Sequence, residues 1–139
     1  MSDVVNHPKH YTSHQSGVEC IAVTERLGFC AGNAIKYLWR ADLKGRQSED
    51  IKKAMWYLDR IIDAEDRACH LHGLDDRVLQ HYEVRLADAG GWNAPAICNI
   101  LRGVTTNSVS HLVVARNQLD YLINHPTAPR TSPSIPCNA

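Results

Sequence analysis

The chain has no net charge, because fifteen lysines and arginines stand against fifteen aspartates and glutamates in 139 residues. General attraction to nucleic acid or to an anionic membrane is therefore not expected, and any electrostatic role has to be local. No apolar run approaches the roughly 20 residues that span a bilayer. The opening Met1-Ser2-Asp3-Val4-Val5-Asn6 has neither the basic stretch nor the apolar core of a secretory signal. The expectation is a cytoplasmic protein without a membrane partner. The five cysteines, Cys20, Cys30, Cys69, Cys98 and Cys137, are odd in number and contain no C-x-x-C pair, which argues against a disulfide framework and against a cysteine-rich zinc site. They read as reduced thiols, several of them in the core. Strand-like alternation is nowhere sustained and no internal repeat is present. Neither G-x-x-x-x-G-K-[ST] nor a strand followed by G-x-G-x-x-G occurs, so the usual phosphate-binding loops are missing as well.

What the sequence does have is helical periodicity, in a length that suits one compact domain or a smaller helical module with an appendage. Ser16-Gly17-Val18-Glu19 fits a capping box that opens a short helix, with Val18, Ile21, Ala22 and Leu27 on its apolar side and Gly28 as a left-handed stop. A second helix is expected over Ala31 to Lys44, with Ala34, Leu38 and Ala41 on one side and Gly45 as its end. A third opens at Ser48, where Glu49 and Asp50 suit the positive end of the helix dipole. Its stripe of Ile51, Ala54, Met55, Leu58, Ile61 and Ile62 can continue to His72 before Gly73 breaks it. The short turn around Gly45 makes helices two and three an antiparallel hairpin.

Further helices are expected over Asp76 to Asp88, Ala94 to Arg102 and Val109 to Ile123, with Gly90-Gly91 as an interruption and Pro95 tolerated in a first turn. Pro126 to Ala139 holds four of the six prolines and reads as a disordered tail. The expected fold class is all-α, a small helical bundle built on an antiparallel helical hairpin with additional C-terminal helices. The expected organisation is a helical module over 1–72, an extension over 73–125 serving oligomerisation or as a lid, and the tail 126–139.

Net neutrality hides an asymmetry. All five lysines and six of the nine aromatics precede residue 61. Cations meet phosphate oxygens through charge-assisted hydrogen bonds and aromatic rings offer stacking faces to a base, so these are the residue types of a nucleotide site. The competing reading is that they solvate helices and fill the rim of the core. Spacing favours the first: Asn33, Lys36, Tyr37 and Arg40 share one face of the second helix, and Lys53, Tyr57 and Arg60 share one face of the third. In an antiparallel hairpin the two faces are expected to converge on one cleft with two cations from each side. Ahead of them, Asn6-His7-Pro8-Lys9-His10-Tyr11 is a proline-stiffened polar segment whose histidines suit phosphate donation or proton transfer. The spacing of His7, His10 and His14 would also suit an open zinc site, but it lacks the helical context of the usual zinc motif, and no metal site is assigned.

These residues carry a resemblance. Asn6-His7-Pro8-Lys9-His10-Tyr11, then Gly17-Val18-Glu19-Cys20-Ile21, then Gly32-Asn33-Ala34-Ile35-Lys36-Tyr37-Leu38-Trp39-Arg40-Ala41, then Glu49-Asp50-Ile51-Lys52-Lys53-Ala54 with Trp56-Tyr57-Leu58-Asp59-Arg60, in that order, resemble the SaV-like family of small bacteriophage and prophage proteins over residues 6 to about 62. That family includes a phage nucleotide kinase that phosphorylates deoxynucleoside monophosphates without a recognisable P-loop. The resemblance implies a nucleotide ligand, a location in the host cytoplasm, and polar site residues at His7, His10, Tyr11, Asn33, Lys36, Tyr37, Arg40, Lys53, Tyr57 and Arg60. This chain departs from the family at Asp42, where glycine is common, which sets an acid near the expected phosphate site.

The leading expectation is phosphoryl transfer from a nucleoside triphosphate such as ATP to a (deoxy)nucleoside monophosphate. Lys36, Arg40, Lys53 and Arg60 would be the clamps, His7 or His10 a proton carrier, and Tyr37 or Trp56 a base platform. Three other readings stand beside it. The first is a non-catalytic protein that sequesters a nucleotide or a nucleotide-derived defence signal. The second is an Mg2+-dependent nucleotide pyrophosphohydrolase using Asp59, Asp63 and Asp66, spaced i, i+4 and i+7 on the third helix unless they form a solvated face paired with Arg67. The third is a structural role. A homo-oligomer is expected under any of them, since small helical hairpins complete their cores by association.

Overall fold

Where helical periodicity is strong, helices form. The computed structural model describes residues 17–44, 47–71 and 74–125, with the backbone alone at 42–44. It is all-α, a small helical bundle, with six α-helices and no strand among the described residues: α1 (Cys20–Thr24), α2 (Phe29–Lys44), α3 (Gln47–Ile62), α4 (Asp76–Ala89), α5 (Ala94–Thr105) and α6 (Val109–Asn124). No helix among the described residues is long and apolar enough to cross a membrane. The expected capping-box residue Ser16, the stops Gly45 and Gly73, and the tail from Pro126 lie outside the described residues.

Helices α2 and α3 pack as the expected hairpin. Ala31, Ala34, Ile35, Leu38 and Trp39 of α2 and Ile51, Ala54, Leu58 and Ile61 of α3 are buried together. Each large aliphatic side chain so buried contributes roughly 1.5–3 kcal/mol. The hydrophobic core is continuous across position 73: Leu79, Tyr82 and Leu86 of α4, Ile97, Ile100, Leu101 and Val104 of α5, and Leu112, Ala115 and Leu119 of α6 belong to the same cluster. Asp75 caps α4 by accepting from the Val78 amide at 2.9 Å. Gly90 and Gly91, at φ 75° and 100°, make the turn into α5. Behind that turn the buried Asn93 donates to the Leu38 carbonyl at 2.7 Å and fastens the second half of the chain to α2.

Two helices depart from their expected bounds. The first is shorter, with Glu19 as its N-cap rather than the third residue of a capping box, and it buries Cys20 and Val23 while Ile21 stays exposed. Gly28 is not a left-handed stop, since its φ is not positive. Its lack of a side chain instead admits the Ala68–His70 3-10 turn, because a Cβ there would lie 3.3 Å from the Cys69 and His70 carbonyl oxygens. The third helix stops at Ile62, ten residues before His72, although apolar spacing continues. Asp63, Glu65 and Asp66 crowd the negative end of the helix dipole. Arg67 turns back to donate to the Ile62 carbonyl at 2.9 Å, and the Asp66 carboxylate accepts from the Ala68 amide.

Candidate functional site

Seven of the residues selected by helical spacing, together with Trp56, lie on described parts of α2 and α3, whereas His7, His10 and Tyr11 lie outside the described residues. The hairpin brings five of them together. The Tyr37 and Tyr57 rings stack across the helices, with centroids 6.0 Å apart and planes 16° from parallel. Lys36 Nζ, the Arg40 guanidinium and Lys53 Nζ stand 5.3, 5.5 and 5.2 Å from the centre of the Tyr37 ring. The electron-rich face of an aromatic ring attracts cations at this range, so Tyr37 holds three positive groups from two helices in one place.

The three cations are not equivalent. Arg40 lies 3.8 Å from Asp50, whose carboxylate is 2% exposed, and no hydrogen bond completes that pair at Arg40 Nε or Asp50 Oδ2. Lys53 pairs with Glu49 at 3.3 Å on an exposed surface, where such a pair holds weakly. Lys36 has no carboxylate partner among the described residues. Among the described residues, three cations against two carboxylates give the cluster an excess positive charge, centred on Lys36.

The single four-cation cleft expected from spacing is not formed. Arg60 lies seven residues beyond Lys53, about 10 Å along the helix axis, where its guanidinium sits 5.6 Å from the Trp56 ring. Trp56 and Arg60 line a separate cleft of about 380 Å³ with Asp59, Asp63, Ala64 and His70. Tyr37 is also not an open base platform, because Tyr57 and the cations crowd its ring. Asn33 donates to the Phe29 carbonyl at 2.8 Å, which leaves its amide oxygen free of that bond.

The acidic stripe expected on the third helix is broken up. Asp59 accepts from Arg116 of α6 at 2.9 Å, not from Arg67, and Asp66 lies beyond the helix end. No group of three His, Cys, Asp or Glu side chains suited to a metal ion exists among the described residues. Two residues next to the cluster were not selected by spacing. From the sequence Asp50 is only a partner of the helix dipole, and Phe29 precedes the expected start of the helix at Ala31; in the structure Phe29 opens α2, and Phe29, Asn33, Lys36 and Arg40 share the i, i+4, i+7, i+11 spacing of one face.

Beside the cluster, where α1 meets α2, two small depressions meet at Thr24 and Lys36. One, of about 250 Å³, is lined by Cys20, Ile21, Thr24 and Lys36. The other, of about 190 Å³, is lined by Thr24, Leu27, Gly28, Phe29, Gly32, Asn33 and Lys36. Cys20 is not a nucleophile there, since burial pushes its thiol up to about 12 and leaves it protonated at neutral pH. Larger hollows lie elsewhere. One of about 550 Å³ between α5 and α6, bordered by Trp92, Pro95, Val114, Tyr121 and Leu122, presents no charged group. Another of about 590 Å³ is a furrow along α4 alone. Neither gathers convergent cations from two elements, as the Tyr37 cluster does.

With the geometry in place, the comparison with known families is short. Residues 5–59 match DUF3310, a family of proteins of unknown function. The matched span holds α1, α2 and all of α3 except its last three residues, so the Tyr37 cluster lies inside it while Arg60 and α4 to α6 lie outside. Neither curated proteins nor solved structures return a match.

Proposed function

We propose that this chain binds a phosphate-bearing nucleotide on the α2–α3 hairpin and, as a P-loop-independent nucleotide kinase, transfers phosphate from a nucleoside triphosphate to a (deoxy)nucleoside monophosphate. The observation that carries the reading is the convergence of Lys36, Arg40 and Lys53 on one tyrosine ring, with Lys36 lacking a carboxylate partner among the described residues. Cations held close on a preformed scaffold repel one another, and a phosphate relieves that repulsion through charge-assisted hydrogen bonds. Phosphoryl transfer asks the protein chiefly for positioning and for cations against the spreading charge, and lysines on rigid helices supply both. The likeness of the motifs to the SaV-like phage family, which includes such a kinase, supports the same reading.

Within the cluster, Arg40 is committed to Asp50, which makes Lys36 and Lys53 the phosphate ligands and Arg40 their support. Titration calorimetry with ATP and each monophosphate tests binding, and mass spectrometry of the incubated mixture tests turnover. Removing both lysines is expected to weaken nucleotide binding at least tenfold, since a hydrogen bond to a charged group is worth about 1.5–3 kcal/mol. Parental affinity in the double Lys36→Ala/Lys53→Ala variant would refute the site. Tight binding with the nucleotide recovered unchanged would keep the site and replace the kinase by a sequestering protein.

A further inference from the structure

Nucleotide binding needs a place for the base as well as for the phosphate, and the aromatic rings of this surface differ in what they leave open. Tyr37 is crowded by Tyr57 and three cations. Tyr57 meets three rings: Tyr37, the Phe29 ring at 6.0 Å and the Trp56 ring at 5.0 Å, the last two edge to face. Trp56 is 59% exposed but carries Arg60 against its ring, beside Asp59 and Asp63. Phe29 is 74% exposed, and its one aromatic contact among the described residues is the edge-to-face approach of Tyr57. With that single contact most of the ring stays open to solvent. An apolar ring so exposed at the head of a helix contributes little to the core.

Resting on the nucleotide reading above, we infer that the base of the bound nucleotide stacks on Phe29 and is read at its edge by Asn33, in the cleft between α1 and α2, while Lys36 holds the phosphate at the other end of the same cleft. The placement follows from helix geometry. Phe29, Asn33 and Lys36 succeed one another at i, i+4 and i+7 on one face and line one depression. Phe29 and Lys36 are about 10 Å apart along the axis, on the order of the span from base to phosphate in a nucleotide. The depression, about 190 Å³, is smaller than the pocket of a whole drug-sized ligand, roughly 300–1,000 Å³. That size suits a planar base with the sugar and phosphate lying outside along α2.

Two features keep the cleft open and polar at the right point. Gly28 and Gly32, one turn apart, put no side chain into it, and a Cβ on Gly32 would stand 3.3 Å from the Thr24 carbonyl oxygen. Asn33 is held by its donation to the Phe29 carbonyl, so its amide oxygen and second N–H have a fixed direction toward a base edge. The ligand class is a nucleobase carrying both a donor and an acceptor, on a sugar bearing phosphate.

The test separates base from phosphate. Binding of ATP, of each deoxynucleoside monophosphate and of base-free tripolyphosphate is measured by calorimetry for the parent protein, Phe29→Ala, Phe29→Tyr and Lys36→Ala. The expected result is a loss of nucleotide affinity of about ten- to a hundredfold in Phe29→Ala, the range for a lost base–aromatic stack. Tripolyphosphate binding should be unchanged in that variant, nucleotide affinity should return in Phe29→Tyr, and both ligands should weaken in Lys36→Ala. Parental nucleotide affinity in Phe29→Ala, with Lys36→Ala impaired, would overturn the base platform and leave the phosphate site standing. Equal weakening of tripolyphosphate and nucleotide in Phe29→Ala would overturn it too, by showing a general disturbance of α2. If the parent protein binds tripolyphosphate and nucleotides with the same affinity, the base makes no contact and the inference fails. If the parent binds neither, the nucleotide reading itself fails and the platform with it.

Discussion

Replacing Arg40 by alanine tests whether this arginine is a ligand for phosphate or a support for the cluster. Its partner Asp50 is 2% exposed, on the first turn of α3, and lies 3.8 Å from Arg40 Nε, while the Arg40 side chain is 19% exposed. Removing one member of a buried ion pair costs about 3–5 kcal/mol, because the other charge is left desolvated without its counterion. Here the pair is long and one-fifth open to water, which places the cost lower, at about 2–3 kcal/mol. With a urea dependence of about 2 kcal/mol per molar for a domain of this size, the midpoint of unfolding should fall by roughly 1–1.5 M. Asp50→Asn keeps the shape and removes the charge, and Arg40 can then turn to solvent, so that variant alone should lose less than about 1 kcal/mol. The double variant Arg40→Ala/Asp50→Asn should recover at least half of what Arg40→Ala loses, a coupling of about 1 kcal/mol or more in the mutant cycle. An Arg40→Ala protein with the parental urea midpoint, or a double variant no more stable than Arg40→Ala alone, would refute the reasoning. Arg40 would then be free to serve as a ligand.

Other perturbations follow from the same structure. Asn93→Ala should destabilise by about 0.5–1.5 kcal/mol in urea melts, because it removes the buried hydrogen bond that Asn93 adds to the Leu38 carbonyl; Asn93→Asp should cost more by setting a carboxylate against that oxygen. Gly103→Ala should lower stability despite alanine's better helix propensity of about 1 kcal/mol: its Cβ would lie 2.8 Å from Cγ and Cδ2 of the fully buried Leu112, and overpacking costs about 1–3 kcal/mol. A raised melting temperature would show that α6 can give way. Burial pushes the Cys20 and Cys98 thiols up to about 12 and about 11. At pH 8 their thiolate fractions are then about one in ten thousand and one in a thousand, so mass-mapped alkylation should reach the exposed Cys69 before Cys20 and Cys98 and accelerate at those two only as pH rises. Cys20 alkylated as fast as Cys69 at pH 8 would contradict the buried placement of α1.

Legibility in the sequence differed between elements for identifiable reasons. The stripe Ile51, Ala54, Leu58 and Ile61 marked α3 because burial on one helix face leaves a 3.6-residue imprint, and each of these residues is fully buried. The end of α3 is not legible locally, because apolar spacing runs on past Ile62, while its termination depends on three acids at the negative helix end and on Arg67 turning back. The same early end dissolved the stripe of Asp59, Asp63 and Asp66, and Asp59 found Arg116, a residue 57 positions away that no local pattern could nominate. Around the candidate site, shared helix faces are legible in the sequence, and Lys36, Tyr37, Arg40, Lys53 and Tyr57 lie on the faces that the hairpin brings together.

By itself, then, the sequence determined what is periodic and local: the helical class, the hairpin, and which polar residues share a helix face. Only the tertiary structure decided how far apart those faces stand and which groups are already used. It separated Arg60 from Lys53, committed Arg40 to Asp50, closed Tyr37 behind Tyr57, and left Phe29 open at the head of α2. The physical reason is that a helix repeats by its own hydrogen bonds, within four residues, whereas the availability of a charge or a ring depends on neighbours brought from elsewhere in the chain.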